Sequence, residues 1–557
     1  MSKNSSFSPS TEVSGKPDDK TPKISTNWLG SLKYVVKGNE GKFALVLISS
    51  VLANAFVMAF SPFVMKFIFD EGIIRGDFRS FIILAVVSVL VFTLWRIWVY
   101  LNRLYVQKLK VEISGQISKR LISKYYEISY NEVSRNDSGY FVSRIYDEAA
   151  STCHPTIDTF ISLFSSIATL IVATFVVLAM SWRASLSIVA AFPLIYLVTR
   201  TYANKIKNLS KDENEKQAVL KGVITKSVNS FKFVNVFNLK STVLEKIGGY
   251  YDKYAEATIL RFRSASKYET INGTLMSYTE TIATIGAGYE ILVGRMTFGS
   301  FMGFMQAYWG VIGSVRGLFG LIPELSRLTG AVERLMEFEQ NPSERNNITE
   351  SDSLQLNQMS FSYGLKSVLE NITINPAKSE KILVIGSNGS GKSTFAHIVS
   401  GFLSPTEGKA KTFPLSRISA VIYPSEFIPG TVRDNFSFID SASEKFRFNE
   451  IGAKFNLLSK LDKDPSELSA GQRKKLEIMM GLVKESDLYI FDEPLAGIDV
   501  ESKERIMSEI FKYTKGKILI VVMHGDEQFH HHFDSEINLN KDKVFYRKLE
   551  NRKLAKV

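Results

Sequence analysis

Apolar residues gather into long runs before about residue 340 and break into short bursts after it. The runs are Phe43 to Phe63, Phe81 to Leu101, Thr156 to Met180, Ala184 to Val198, Ile271 to Val293 and Phe301 to Ile322. A helix crosses a ~30 Å hydrocarbon core with about 20 apolar residues, so the pattern predicts six membrane crossings. The third and fourth are expected to meet in a tight turn at Trp182–Arg183. Gly, Ser, Thr, Glu280 and Arg316 interrupt the last two, as packed membrane helices tolerate when a charge faces a cavity or a partner helix. The connections alternate. The first, third and fifth are short and carry Arg75 and Arg79, Arg183, and Arg295, whereas the second and fourth are long and rich in Lys and Arg. The excess of positive charge on cytoplasmic loops places the long connections, both termini and the later residues on the cytoplasmic side. Apolar residues at three- and four-residue spacing in Gln107 to Tyr126 and Gln217 to Tyr251 predict helices that continue beyond the membrane.

From about Ile348, short apolar strands alternate with helices. The fold class expected is a multi-domain chain: an all-α six-helix transmembrane domain followed by an α/β phosphate-loop domain. The boundaries expected are 1–30 for a disordered cytoplasmic arm, 31–340 for the membrane domain and 341–557 for the soluble domain. The apolar strand Ile382–Ile385 runs straight into Gly386, Ser387, Asn388, Gly389, Ser390, Gly391, Lys392, Ser393 and Thr394, and a helical segment follows. That is the G-x-x-x-x-G-K-[ST] phosphate-binding loop in its strand–loop–helix setting. Backbone amides and the helix N-terminus favour a bound phosphate, Lys392 would reach the β- and γ-phosphates, and Ser393 would ligate Mg²⁺. A second apolar run, Leu488–Phe491, ends on Asp492 and Glu493. Asp492 is placed to hold Mg²⁺ and Glu493 to polarise an attacking water. Between them, Ser469, Ala470, Gly471 and Gln472 open a helix that Ser469 can cap and whose first amides can receive an anion.

Composition narrows the reading. The 557 residues include 68 Lys+Arg and 56 Asp+Glu, a net charge of +12. The basic cytoplasmic loops account for it, so no nucleic-acid partner is expected. A single cysteine, Cys153, excludes an intramolecular disulfide and a thiolate metal cluster. Residues 1–27 lack the apolar stretch of a signal peptide and the Arg-rich, acid-poor character of a transit peptide. His530, His531 and His532 read as a solvated surface rather than a metal site.

The phosphate loop, the Leu468-Ser469-Ala470-Gly471-Gln472 signature, the strand ending at Asp492–Glu493 and His524 after Ile518–Met523 together resemble the ATPase domain of ABC transporters. With six crossings on the same chain, the whole resembles a fused ABC exporter half-transporter, most like bacterial exporters of bacteriocins and modified peptides. The resemblance implies that Tyr363 stacks on adenine, that Asp499 communicates between two sites, that His524 contacts the γ-phosphate, and that ATP and Mg²⁺ are bound. It implies a homodimer in the membrane of a bacterium, each signature completing the other copy's site. It also implies export of a small, possibly antimicrobial or modified, peptide; the alternative is a lipid or lipophilic drug, and behind it stand a non-transporting ABC ATPase, against which the six apolar runs argue, and an ATP-gated regulator. One departure stands out: Ala420 to Thr431 lacks the family's usual glutamine and has Ser425 and Glu426 near its place.

Helix rise of 1.5 Å per residue puts Glu280 about 21 Å below Gly294, Arg316 about 24 Å below Ser300, and Arg96 about 24 Å below Ser80. Three ionisable residues thus share one depth. They are expected either to line a substrate cavity or, for Glu280 and Arg316, to pair between neighbouring helices.

Overall fold

The computed structural model describes residues 26–340 apart from 137, and 348–549 apart from 365, 424, 425, 526 and 541–544. It divides into two compact units. One gathers the described residues up to Lys124 with Phe141–Gln340; the other gathers Tyr125–Tyr140 with the described residues from Ile348 onward.

The first unit is helical. It is built from α1 (Trp28–Val36), α2 (Glu40–Phe67) and α3 (Phe78–Tyr125); then, after the short α4 (Tyr130–Arg135) and α5 (Ser138–Val142), come α6 (Ala149–Met180), α7 (Trp182–Asn229), α8 (Phe231–Val236), α9 (Lys240–Leu292) and α10 (Phe298–Gln340). The six apolar runs lie on α2, α3, α6, α7, α9 and α10. Among the described residues, Glu40–Ile74, Phe78–Tyr125 and Ser138–Met180 are each long and apolar enough to span a membrane by length and composition. The 48 residues of α7 extend about 72 Å, more than twice a ~30 Å hydrocarbon core. Two expectations shift. Asn27 accepts a hydrogen bond from the Gly30 amide at 2.7 Å and starts α1 at Trp28, inside the segment assigned to the arm. The break between α6 and α7 falls on Ser181, extended at φ −163°, because its hydroxyl caps α7 by accepting from the Ala184 amide.

Helix packing relies on small residues. Ala173, Ala283, Ala287 and Ala307 are fully buried beside Phe304, Tyr308 and Val311, letting α6, α9 and α10 approach closely. At the opposite end from the long loops, Glu290 is buried and accepts from Arg295 at 3.0 Å, with Arg183 3.6 Å away. Two arginines neutralise a carboxylate that would otherwise be costly there.

The second unit carries β1 (Ile348–Glu350), β2 (Gln355–Tyr363), β3 (Lys366–Ile374), β4 (Lys381–Ile385), α11 (Lys392–Val399), β5 (Glu407–Thr412), β6 (Ile418–Val421), α12 (Ala442–Lys454), α13 (Ala470–Val483), β7 (Leu488–Asp492), α14 (Val500–Tyr513), β8 (Ile518–Val522), β9 (Ser535–Asn538) and β10 (Phe545–Lys548). Its main sheet runs β10-β9-β4-β8-β7-β6, parallel except for β10; a smaller sheet runs β1-β5-β2-β3. Side chains alternate between two cores. Ile382, Val384, Ile490, Ile520 and Val522 enter one, while Leu383, Tyr489, Phe491, Leu519 and Val521 enter the other. A parallel sheet buried on both faces reads as a continuous apolar run, which is what β4, β7 and β8 show. The carboxyl ends of β4, β7 and β8 therefore deliver Gly386, Asp492 and His524 to one edge of the sheet.

Candidate active site

The loop between β4 and α11 is shaped by its glycines. Gly391 sits at φ +94°, and a Cβ there would lie 2.7 Å from the Leu369 side chain. Only glycine lets the loop turn this tightly against β3. Lys392 is buried and donates to the carbonyls of Gly386 and Ser387 at 2.9 and 3.0 Å, so its ammonium lies within the curl of the loop. Among the described residues the buried Ser390 hydroxyl has no hydrogen-bond partner, a polar atom that a phosphate oxygen would satisfy. Ser393 donates to Asp492 at 3.0 Å, which places a hydroxyl and a carboxylate side by side, the donor set a hard divalent cation takes. Burial pushes the Asp492 carboxyl above the usual carboxylate value and outweighs the Ser393 hydrogen bond; Glu493 also raises it, while Lys474 and Lys392 draw it back. A cation bound there would reverse that penalty.

Glu493 has φ +48°, uncommon for a residue with a side chain, and its amide donates to the Val522 carbonyl at 3.0 Å. The sheet holds the residue in a sparsely populated conformation, as happens where a reactive group must be aimed. Glu493 and His524 line one cavity of about 160 Å³, with Pro494, Ala496, Gly497 and Lys503 around it. The geometry thus joins the end of β7, the end of β8 and the loop that leads to α14.

Ser469 caps α13. Its hydroxyl accepts from the Gln472 amide at 3.3 Å, and Gln472 accepts in return from the Ser469 amide at 3.2 Å, a reciprocal capping box. Among the described residues no hydrogen bond or ion pair joins Ser469, Ala470, Gly471 or Gln472 to Gly386–Thr394; the signature and the phosphate loop do not meet through such bonds within one chain. Asp499 caps α14 by accepting from the Ser502 amide at 2.8 Å. Tyr363 ends β2, is 42% exposed and meets the Phe361 ring nearly at right angles, 4.8 Å between centroids. Ser425 lies outside the described residues, whereas its neighbour Glu426 in the stretch that lacks glutamine is placed, in the cavity described next.

A larger cavity, about 570 Å³, was not anticipated from sequence. Tyr130 of α4 lines it with His397, Phe402, Glu426, Phe438 and Met480. Tyr130 stands 4.6 Å from the His397 ring, centre to centre, and burial raises its phenol while lowering His397. The only local signal was an aromatic residue in a basic loop.

In the membrane unit the expected Glu280–Arg316 pair does not form. Arg316 pairs with Glu269 at 3.3 Å, both side chains being exposed at 61% and 73%. Glu280 has no ion-pair partner among the described residues; beside it, Tyr308 donates to Thr279 at 2.8 Å. Arg96 is exposed and lies over the Trp95 ring at 4.8 Å. Among the described residues no hydrogen bond or ion pair joins Arg96, Glu280 and Arg316 to one another.

Residues 43–315 match the family of the ABC transporter transmembrane region, and residues 369–496 match the ABC transporter family. An ATP-dependent lipid A-core flippase of Neisseria meningitidis serogroup B is 22% identical over 74% of this chain and 71% of its own length. One from Syntrophus aciditrophicus is 19% identical over 88% and 87%. A Bacillus subtilis protein carrying the name of a multidrug export ATP-binding/permease protein is 20% identical over 83% and 86%.

Proposed function

Because this chain is a fused ABC half-transporter, an ATPase coupled to export across the inner membrane of a bacterium, we propose that it works as a homodimer whose cargo is a lipid or lipophilic molecule. Each phosphate loop takes the phosphates of one ATP, with Lys392 and the loop amides countering their charge. Ser393 and Asp492 fit Mg²⁺, which supplies further charge neutralisation when bound. Tyr363 stacks on the adenine. Glu493 accepts the proton of the attacking water and His524 contacts the γ-phosphate from across the same cavity. The signature amides at Ser469–Gln472 serve the ATP of the second copy, so two sites close together about an isologous axis. Residues 125–140, which fold with the ATPase unit through Tyr130, are the stretch of chain that continues from α3, and so the covalent route by which that closure reaches the membrane helices.

The cargo reading rests on one observation: Arg96 and Arg316 are exposed cations within the apolar runs of α3 and α10, and exposed Glu269 stands just before the apolar run of α9. Arg96 and Arg316 each lie 18 residues, about 27 Å, from the outer start of α3 and α10. Cations at the inner edge of a span suit an amphiphile with a polar or anionic head and an apolar body. Relatives named as lipid A-core flippases and as a multidrug exporter support it. The peptide cargo expected from sequence rested on Ala420–Thr431, and it finds no counterpart in these relatives' names. The test is translocation of a labelled anionic lipid in proteoliposomes supplied with ATP. Lipid movement that disappears with Arg96→Gln or Arg316→Gln, basal ATPase being kept, supports the reading. Transport of a peptide with no response to lipids or lipophilic drugs would overturn it.

A further inference from the structure

Lys475 stands in the second turn of α13 and reaches out of its own helix. Its ammonium donates to the Ser502 hydroxyl at 2.8 Å and lies 3.6 Å from the Asp499 carboxylate. Asp499 in turn accepts from the Ser502 amide at 2.8 Å, so one cation, one carboxylate and one hydroxyl tie the start of α13 to the cap of α14. The two backbones also approach: a Cβ on Gly471 would lie 3.8 Å from the Gly497 carbonyl oxygen. From Asp499 the path back to Glu493 is short and fully turned. The Ile498 amide donates to the Leu495 carbonyl and the Ala496 amide to the Glu493 carbonyl, each at 3.3 Å. Ala496 and Gly497 then wall the cavity that holds Glu493 and His524.

We infer that Lys475 is a positioning residue that links the signature segment at the start of α13 to the catalytic cavity of the same chain. This rests on the paired-site reading above, in which that signature binds the second copy's ATP. When the signature engages that nucleotide, α13 moves as a capped rigid helix. Lys475 carries the displacement to Asp499, and the turns from Asp499 to Glu493 adjust the carboxylate that faces this chain's own ATP. The pair is partly exposed, at 22% and 62%, so it contributes little to stability. Its loss should leave the fold intact and show instead in how the two sites communicate. Ser502 makes the geometry specific, since its hydroxyl holds the ammonium while its amide holds Asp499.

The test compares purified full-length protein carrying Lys475→Met or Lys475→Arg with wild type, in liposomes. Lys475→Met should lower kcat about 10-fold and bring the Hill coefficient for ATP toward one, because a small displacement of a positioned group is costly in rate. Placed on a Glu493→Gln background, it should change ATP affinity by no more than about 3-fold. Lys475→Arg should restore most of both kinetic values with unchanged Tm. A double Lys475→Met/Asp499→Asn variant should be no slower than either single change, as members of one linkage are not additive. Unchanged kcat and cooperativity in Lys475→Met would overturn the linkage. So would equal losses in Met and Arg variants accompanied by a lower Tm, which marks a merely structural lysine. A Hill coefficient of one in wild type would instead overturn the paired-site reading, and the linkage with it.

Discussion

The Ser393 hydroxyl donates to the Asp492 carboxylate at 3.0 Å, although 99 residues separate them in sequence. Parallel pairing of β4 with β8 and of β8 with β7 is what brings the two strand ends together. Burial raises the Asp492 carboxyl at this place, so it takes up its proton at a higher pH than an ordinary aspartate, near 3.9. Only the ionised form holds a cation well. The Mg²⁺ concentration for half-maximal ATPase should therefore rise as pH is lowered across the acid range, and Asp492→Asn should abolish that dependence along with most Mg²⁺ affinity. A half-saturation point flat across that range would count against Asp492 as the cation's carboxylate.

Glu493→Gln keeps the shape of the side chain at φ +48° and removes its basicity. Turnover should fall by at least ~10²-fold while ATP still binds, giving an ATP-locked dimer visible by size exclusion. Near-normal ATPase in a pure sample would show that another group handles the water.

Arg316 and Glu269 are both exposed, so their ion pair should add little to stability. Neutralising each to Gln, singly and together, should leave Tm and basal ATPase unchanged and remove stimulation by the transported lipid. If each single change lowers Tm and the double change restores it, the pair is a structural link between α9 and α10.

Glu450 on α12 accepts from Lys512 at 2.5 Å and from Tyr513, both at the end of α14, and pairs with Lys454 at 3.1 Å. The Lys512 contact is the largest cause of a carboxyl held at about 2, below its ordinary value near 4.3. A carboxylate with a depressed pKa stabilises the fold above its unfolded value, and the contribution fades as pH falls toward 2. Glu450→Gln should thus lower Tm by roughly 2 °C at pH 7, with the gap to wild type closing below about pH 4. A gap that stays constant from pH 7 to pH 3.5 would show that the charge on Glu450 is not what matters.

Much of this chain was legible because its signals are local. Hydrophobic run length marks a membrane helix, and the succession Ile382–Ile385, Gly386–Thr394 and α11 marks a phosphate loop, since strand, glycine turn and helix start are all set within a few residues. Leu488–Glu493 was readable for the same reason: a strand buried on both faces must be apolar until it emerges at its functional end. What sequence does not encode locally is which distant surfaces meet. Glu269 and Glu280 lie 11 residues, about three turns and ~16 Å, apart, and so share a face of α9. Helical periodicity names that face equally for both, and only the lengthwise register of α9 against α10 selects Glu269 for Arg316. Residues 125–140 follow α3 in sequence yet fold with the ATPase unit, because Tyr130 finds its ring contact at His397, 267 positions on. The same holds for Lys475, one cation in the run Arg473–Lys475, whose link to Asp499 and Ser502 exists only because packing of α13 beside α14 brings it within reach. Composition and spacing determined the elements and the chemistry each could carry; tertiary packing alone decided their partners, because a contact depends on register and rotation that no single segment contains.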